Sequence, residues 1–506
     1  MRPLFLDTRV LDKTARERYD LTEELMMENA ASALERAVMR HIFDAPPKVD
    51  ARTVAVLCGG GNNGADGYAF ARRLAGQTLA DSARLVPVVI AVAAPKSDLC
   101  CRQAARAKNC GVQCLDFDSA ANADTVLSGA EIIVDCLFGS GFHGDLDEKT
   151  AALCAQANTA RALRIACDVP TGLREDGTVA EGAFVADCTV TMGALKLSLY
   201  GDAAKDFVGH IVCEDLGISR SLFETQPDDS CRAAAMLLEA MDIVLPHRPK
   251  NVVNKGTFGH VAVASGEKIG ASCIAGAAAL RFGAGLVSLV RRGQPFTKGD
   301  VPRVSPELMT ASDIPANVSA LAFGMGLGRS AEDTRPYFDW LRAHASIPCV
   351  IDADAVYDES IASFLRERAS GIVLTPHPKE LQVLLRNCGM GDRTVAECVN
   401  NRPALIASFC RSFPGCVLLV KGANPMIGQY DGGSFRLFVN PLGKNCLAKA
   451  GSGDVLAGLI AALLAQGYAP LDATINGSLA HTLASRQFKN DFSLTPLALI
   501  DAVAAL

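Results

Sequence analysis

From Thr22 onward the apolar residues Leu25, Met26, Ala30, Ala33, Leu34 and Ala37 recur at helical spacing, which predicts an amphipathic helix. The pattern then shortens. Mostly apolar runs at Val54 to Cys58, Val86 to Val92, Ile132 to Asp135, Arg164 to Val169 and Cys188 to Met192 alternate with helical stretches. That alternation predicts a parallel sheet covered by helices. It restarts after Gly259, with runs at His260 to Ala264, Leu286 to Val290, Leu321 to Phe323, Cys349 to Ile351, Ile372 to Leu374 and Val417 to Val420. Between the two sets, Ser219 to Lys255 mixes acidic, helical and proline-bearing stretches and reads as a boundary plus the first helix of a new domain. A chain of 506 residues also exceeds one ordinary core. Two α/β domains are expected, residues 1–217 and 218–506, with no short internal repeat.

Parallel sheets bind their ligands beyond the carboxyl ends of the strands. In the first domain those ends carry Gly59-Gly60-Gly61-Asn62-Asn63-Gly64-Ala65-Asp66-Gly67, Asp135-Cys136-Leu137-Phe138-Gly139-Ser140-Gly141 and Asp168-Val169-Pro170-Thr171-Gly172. The first loop is not the G-x-G-x-x-G dinucleotide fingerprint, because asparagines and an aspartate replace its spacers. Each loop alone is also what a plain glycine or proline turn looks like. Together, three strand ends bearing Asp or Asn oxygens suit a hard cation and a general base.

The second domain places more polar loops at strand ends: Lys255 to His260, Gly266 to Ala271, Gly324 to Gly328, Asp352 to Asp354, Thr375 to Glu380 and Lys421 to Asn424. His377 equally suits a helix cap, and Asp352 equally suits a loop-orienting role. Near the end, Ala450-Gly451-Ser452-Gly453-Asp454 precedes the apolar run Val455 to Ile460. Glycines and a serine at a helix N-terminus expose backbone N–H groups that attract a phosphate. An aspartate beside bound phosphate makes chemical sense when it takes a proton from a hydroxyl attacking that phosphate.

Composition narrows the partners. Apolar residues make up 49% and charged residues 21%, a globular balance, and the formal net charge of −6 argues against a nucleic-acid surface. The 18 cysteines lie in apolar segments without a C-x-x-C pair, so reduced buried thiols are expected in place of zinc or disulfide frameworks. The first residues, MRPLFLDTRVLDKTARERYD, lack a secretory apolar core, and Val86 to Ala94 is too short to span a bilayer. A soluble cytoplasmic protein is expected, with neither membrane nor nucleic-acid partner.

GGGNNGADG, DCLFGSG and DVPTG resemble the signature loops of the NAD(P)H-hydrate epimerase domain, a Rossmann-like three-layer α/β/α fold. The resemblance implies that Asn62, Asn63, Gly64, Ala65 and Asp66, with Gly139, Ser140, Gly141, Phe142, His143, Gly144 and Asp145, line a hydrated nicotinamide nucleotide. It implies that Asn63, Asp135 and Thr171 hold potassium, threonine standing where the family usually has serine, and that Asp168 contacts the hydrated ring as acid or base. The second set, with KGTFGH, TPHP-x-E and AGSGD, resembles the ribokinase-like ADP-dependent NAD(P)H-hydrate dehydratase domain. There Ala271, Gly326, His377 and Asp454 would contact the hydrate, Asp454 as base. Lys421, Gly422, Ala423, Asn424, Pro425 and Gly453 would contact ADP, with Mg2+. Lys379 stands where glycine is usual, and Asn440 to Lys449 departs from the family's glycine- and threonine-rich loop. The resemblance implies a bifunctional, paired repair enzyme for hydrated NADH and NADPH. The alternatives are a ribokinase-like kinase of a vitamin-precursor alcohol with an appended nucleotide-binding module, and a first domain that only binds or scaffolds.

Overall fold

Two sheets organise the chain, each inside its own unit: Pro3–Ala234, and Ala235–Leu506 together with Met1–Arg2. The structure, a computed structural model, describes residues 1–43, 51–79, 84–118, 120–225, 232–293, 295–297, 299–300, 305–368 and 370–506. Part of the expected boundary segment, residues 226–231, lies outside the described residues.

The first sheet has the order Gln113–Asp116, Arg84–Ala91, Ala51–Cys58, Ile132–Cys136, Leu163–Cys167, Cys188–Met192, His210–Glu214. All neighbouring strands are parallel. Successive residues of each central strand enter different cores. Val54, Val56, Ile132, Val134 and Ile165 pack with the helices Glu23–Phe43, Asn62–Leu74 and Asp98–Asn109. Ala55, Leu57, Ile133 and Ala166 pack with Leu127, Leu153, Ala157 and Phe184 on the other face. Burial on both faces explains the nearly continuous apolar runs. The chain leaves the centre of the sheet in both directions, reversing between Ala51–Cys58 and Ile132–Cys136, where Cys58 pairs with Cys136. That reversal opens a crevice at the strand ends carrying Gly59 to Gly67 and Leu137 to Gly141.

The predicted helix from Thr22 forms as Glu23–Phe43, with the Thr22 hydroxyl accepting the Leu25 N–H at 3.2 Å. Met26, Ala30, Ala33, Leu34 and Ala37 are buried as expected, but Leu25 is 46% exposed. The buried stripe is centred one position later, where Met27 and Ala31 extend it.

Within the second unit the sheet runs Ala235–Leu237, Ser434–Val439, Met426–Asp431, Cys416–Val420, Ile372–Leu374, Cys349–Ile351, Ala320–Phe323, His260–Ala264, Leu286–Val290, Met309–Ala311. Every predicted run falls on a strand, but the sheet is not wholly parallel. Cys416–Val420, Met426–Asp431 and Ser434–Val439 pair antiparallel. Gly432 and Gly433, at φ 58° and 87°, close the last hairpin between paired Asp431 and Ser434. Two residues with positive φ fit the primed hairpin turn that matches strand twist. The reversal in this sheet falls between His260–Ala264 and Ala320–Phe323.

Helix Ser452–Ala465 lies under this sheet and is buried at every position except Gly453 and Asp454. It packs on helix Ile269–Arg281 so closely that a methyl group on Gly458 would sit 2.1 Å from the Ala275 carbonyl oxygen. Every described cysteine is a free thiol. Among the described residues no helix is long and apolar enough to cross a membrane.

Gly458→Ala should therefore destabilise the second unit by about 1–3 kcal/mol, the helix-propensity gain being outweighed by the backbone clash. Thermal or urea unfolding of the full chain checks this; an unchanged or raised midpoint contradicts the packing described.

Candidate functional site

In the first unit a cavity of about 450 Å³ opens at the strand reversal. It is lined by Asn62, Asn63, Asp66, Gly139, Ser140, Gly141 and Asp168 from the three loops, joined by Lys196 and by Asp12 of helix Arg9–Tyr19. Gly139 lies between Asn63 and Asp168: a methyl placed on it would be 3.6 Å from the Asn63 amide carbon and from Asp168 Oδ2. Gly64 and Ala65 are buried beneath, the Ala65 methyl inside the hydrophobic core. Phe142 to Asp145 do not line this cavity. Phe142 packs on Phe138, His143 Nδ1 lies 2.8 Å from the Gly141 carbonyl, and Arg174 binds the Gly144 carbonyl and the Asp145 carboxylate.

Asp168 sits just past its strand at φ 70°, a conformation costly for a residue with a side chain. Its carboxylate accepts hydrogen bonds from Lys196 Nζ at 2.6 Å, the Met192 N–H at 3.3 Å and the Ser140 N–H at 3.3 Å. Burial pushes the carboxyl up, but the Lys196 ammonium and these donors outweigh it, holding Asp168 below the ordinary carboxylate range. Asp66 faces the opposite balance: burial first, then the Asp168 and Asp12 charges, raise it well above that range. Lys196 escaped the sequence reading, because it stands in the apolar stretch Ala194-Leu195-Lys196-Leu197 far from any motif.

Asp135 is fully buried and accepts from the Thr171 N–H and hydroxyl, both at 2.8 Å, and from the Leu137 N–H at 3.1 Å. Burial still raises it to about 6. The Thr171 oxygen also accepts the Phe138 N–H at 3.1 Å. Nearer the cavity, the Asn63 amide nitrogen is buried without a partner among the described residues. Turned over, that amide presents its oxygen. An amide oxygen, a hydroxyl and one buried carboxylate form a hard, singly charged donor set, which fits a monovalent cation.

In the second unit Gly451 takes the left-handed conformation at φ 89° and starts helix Ser452–Ala465, placing Asp454 in its first turn. Lys421 Nζ binds buried Asp352 at 2.7 Å. A methyl placed on Gly453 would be 3.1 Å from that ammonium and 3.9 Å from Asp352 Oδ2, so the ion pair packs on the helix N-terminus. Burial lowers the Lys421 pKa, but Asp352, Glu380 and Asp454 more than restore it, and it lies above the usual lysine value. Asp454 is pushed up to about 7 by burial and by the Asp352 charge, with Lys421 acting against them.

His377 caps helix Pro378–Asn387: its Nδ1 accepts the Glu380 N–H at 3.2 Å, while Glu380 accepts the His377 N–H at 2.9 Å. Burial and Lys421 lower the His377 pKa, which leaves Nδ1 free of a proton for this cap. The capping reading and proximity to Lys421 thus both hold. Gly326 and Ala271 adjoin: a methyl on Gly326 would be 3.0 Å from the Ala271 Cβ. Gly422 and Ala423 are exposed, Asn424 is buried, and the Pro425 carbonyl accepts the Asn440 N–H at 2.9 Å. Asn440 anchors the atypical loop, donating to Ser478 and Thr482 at 2.9 and 3.0 Å. Lys379 is exposed. Ser452 meets a residue outside every motif, buried His481, whose Nε2 lies 3.0 Å from the Ser452 hydroxyl and 2.9 Å from its carbonyl oxygen.

Residues 23–198 match the family model described as YjeF-related protein N-terminus, and residues 261–504 match that of NAD(P)H-hydrate dehydratase. The Helicobacter pylori protein called bifunctional NAD(P)H-hydrate repair enzyme Nnr is 40% identical over 98% of both chains. The protein of the same name from Moorella thermoacetica is 32% identical, over 94% of this chain and 90% of its own. The Bacillus subtilis ADP/ATP-dependent NAD(P)H-hydrate dehydratase, co-crystallised with ATP and Mg2+, is 24% identical with a TM-score of 0.43, covering 52% of this chain and 92% of that one.

Replacing Lys196 by Met should strand a buried carboxylate and cost about 3–5 kcal/mol at pH 7. Because the folded-state pKa of Asp168 is depressed, the pair stabilises above the ordinary aspartate pKa and that contribution disappears as acid protonates Asp168. In the variant Asp168 keeps the burial that raises its pKa but loses the Lys196 charge, so it takes up a proton at higher pH than in the parent. The deficit should shrink as pH falls toward 4, and the parent's own contribution should be lost below that, as read from denaturant unfolding across pH.

Proposed function

Because the chain belongs to the bifunctional NAD(P)H-hydrate repair enzymes, we propose that its two crevices carry the two halves of that repair. The protein epimerises R- and S-hydrates of NADH and NADPH and dehydrates the S form with ADP, giving AMP and phosphate. The epimerase reaction belongs to the cavity at Asn62 to Asp66, Gly139 to Gly141 and Asp168. The dehydratase reaction belongs to the cluster of Asp454, Lys421, Asp352 and His377.

The observation that carries the second assignment is Asp454: a carboxyl near neutrality inside the anion-attracting turn at Gly451 to Gly453. A base whose pKa matches the working pH has both the required charge and the driving force to take a proton. Asp454 accepts the proton of the ring hydroxyl as that oxygen bonds to the terminal phosphorus of ADP and AMP departs. The carbon–oxygen bond then breaks, phosphate leaves, and loss of a proton from the neighbouring ring carbon restores the double bond. The Gly453 amide and the Lys421 ammonium stabilise charge on the moving phosphoryl group. Lys421, Gly422, Ala423, Asn424 and Pro425 would hold the nucleotide, while Ala271, Gly326 and His377 would hold the hydrate. Mg2+, arriving with the nucleotide, would neutralise phosphate charge.

In the first unit Asn63, Asp135 and Thr171 would hold potassium, which supplies a fixed positive charge for the nucleotide's phosphates. Asp168 acts as base at the hydrated ring carbon. Replacing choline chloride by potassium chloride should raise the thermal midpoint of the parent protein, and Asn63→Leu should abolish that shift. A cation-independent midpoint in the parent would remove the potassium assignment.

Regeneration of reduced-nicotinamide absorbance from hydrated NADH and ADP tests the function, with AMP and phosphate measured as products. A stable phosphorylated nucleotide would indicate a kinase. Asp454→Asn should lower kcat about 10²- to 10⁴-fold, and parent kcat/KM should rise with pH through about 7. The sign for stability is opposite. The raised folded-state pKa means that ionising Asp454 destabilises the fold between about pH 4 and 7, so at pH 8 the Asn variant should melt about 2–4 °C higher.

A further inference from the structure

Helix Arg9–Tyr19 lies outside the region matched by the epimerase-type family model, residues 23–198, yet it forms part of the cavity wall. Of its residues, Thr8 at the cap, Arg9, Asp12 and Arg16 line the cavity. Arg9 is held by Asp7, and Arg16 pairs with Glu23. Asp12 differs. Its carboxyl is partly buried and has no hydrogen-bond partner among the described residues, although it faces the Lys196–Asp168 pair. A half-buried carboxyl without a hydrogen-bond partner among the described residues, lining the same cavity as the Lys196-paired Asp168, is arranged for something in that cavity.

The chemistry of the substrate supplies the task. Water adds to the ring double bond so that the hydroxyl lies on the carbon bonded to the ring nitrogen, because that nitrogen stabilises the adjacent cation. Inverting this carbon needs an acid for the departing oxygen and a base for the arriving one. Resting on the epimerase reading of this cavity, we propose that Asp12 is the proton donor paired with Asp168 in the epimerisation. The carbon–oxygen bond breaks as the ring-nitrogen lone pair forms a carbon–nitrogen double bond, and the Asp12 proton goes to the departing oxygen, releasing water. A water molecule then adds to the other face of the ring carbon, the electron pair returns to nitrogen, and Asp168 takes the proton of that water. The reverse inversion starts from protonated Asp168 and ionised Asp12, so the two carboxyls exchange roles. Lys196 favours the state with Asp168 ionised.

The protonation states agree with this division. Burial pushes Asp12 up to about 6; Asp168 and Asp7 add to that, and Lys196 and Arg16 oppose it. Arg9, Glu23 and Asp66 are the other charged or titratable groups lining the cavity. Asp66 also has a raised pKa, but Lys196 is absent from its neighbouring charges, whereas it acts on both Asp12 and Asp168.

The full-length chain, with potassium and hydrated NADH enriched in one epimer, tests the proposal against the uncatalysed exchange rate. In H2(18)O each catalysed inversion should place labelled oxygen on the ring. Asp12→Asn should slow catalysed inversion and label entry together, by about 100-fold or more. Asp12→Glu should recover part of the loss. The Asn variant should not melt below the parent at pH 7.5, because removing a carboxyl with a raised pKa does not destabilise there. The proposal is overturned by inversion without label, by Asp12→Asn inverting within threefold of the parent, or by the loss appearing in Asp66→Asn alone. A parent protein that fails to exceed the uncatalysed rate overturns the epimerase reading itself, which separates that failure from failure of the Asp12 role.

Discussion

Each half of this protein depends on a sheet buried on both faces. Val54 and Ala55 point into different cores, as do Ile132 and Ile133, so the central strands have no face on which a polar group could meet water. Polar chemistry is thereby confined to strand ends, and the parallel arrangement collects successive carboxyl ends along one edge. Helix Ser452–Ala465 obeys the same constraint in its extreme form. Its body is apolar all round, leaving only Gly453 and Asp454 of its first turn unburied. The helix cannot move its N-terminus without exposing that body, so the turn is rigid for reasons unrelated to the turn itself.

The same edge creates the electrostatic problem that both sites solve alike. A carboxyl at a buried edge is pushed toward its neutral form, and neighbouring carboxylates push it further. In each unit a lysine binds one carboxylate, Asp168 through Lys196 or Asp352 through Lys421, while a nearby carboxyl is driven upward. The result is a lysine-paired carboxylate beside a carboxyl whose pKa is raised, to about 6 at Asp12 in the first case and to about 7 at Asp454 in the second. Splitting the pKa values of adjacent carboxyls is how proton donors and acceptors are separated without changing residue type.

This division also explains what could be read from the sequence. The central strands were legible because double burial writes unbroken apolar runs. Gln113–Asp116, His210–Glu214 and Met309–Ala311 were not, since these outer strands are half exposed and short. The Asp431-Gly432-Gly433-Ser434 hairpin is marked in the sequence only by its turn residues, a weaker signal than the parallel pattern around it. The glycine-rich loops announced themselves through composition. Lys196, His481 and Asp12 did not, because a single charged residue in an apolar or helical stretch has no local signature. Their significance lies in what the fold brings to them: Asp168 is 28 residues from Lys196 in sequence and 2.6 Å away in space.

The cost of both arrangements falls on stability. An ionised Asp454 is unfavourable in the folded chain, and an ionised Asp168 is tolerable because the Lys196 side chain binds it. Neither carboxyl could relax this cost by becoming exposed without water returning its pKa to the ordinary value. The large apolar bodies behind the sites supply the compensation. Tight contacts such as Gly458 against Ala275 therefore bear on these acids indirectly, by fixing the apolar body that keeps them desolvated.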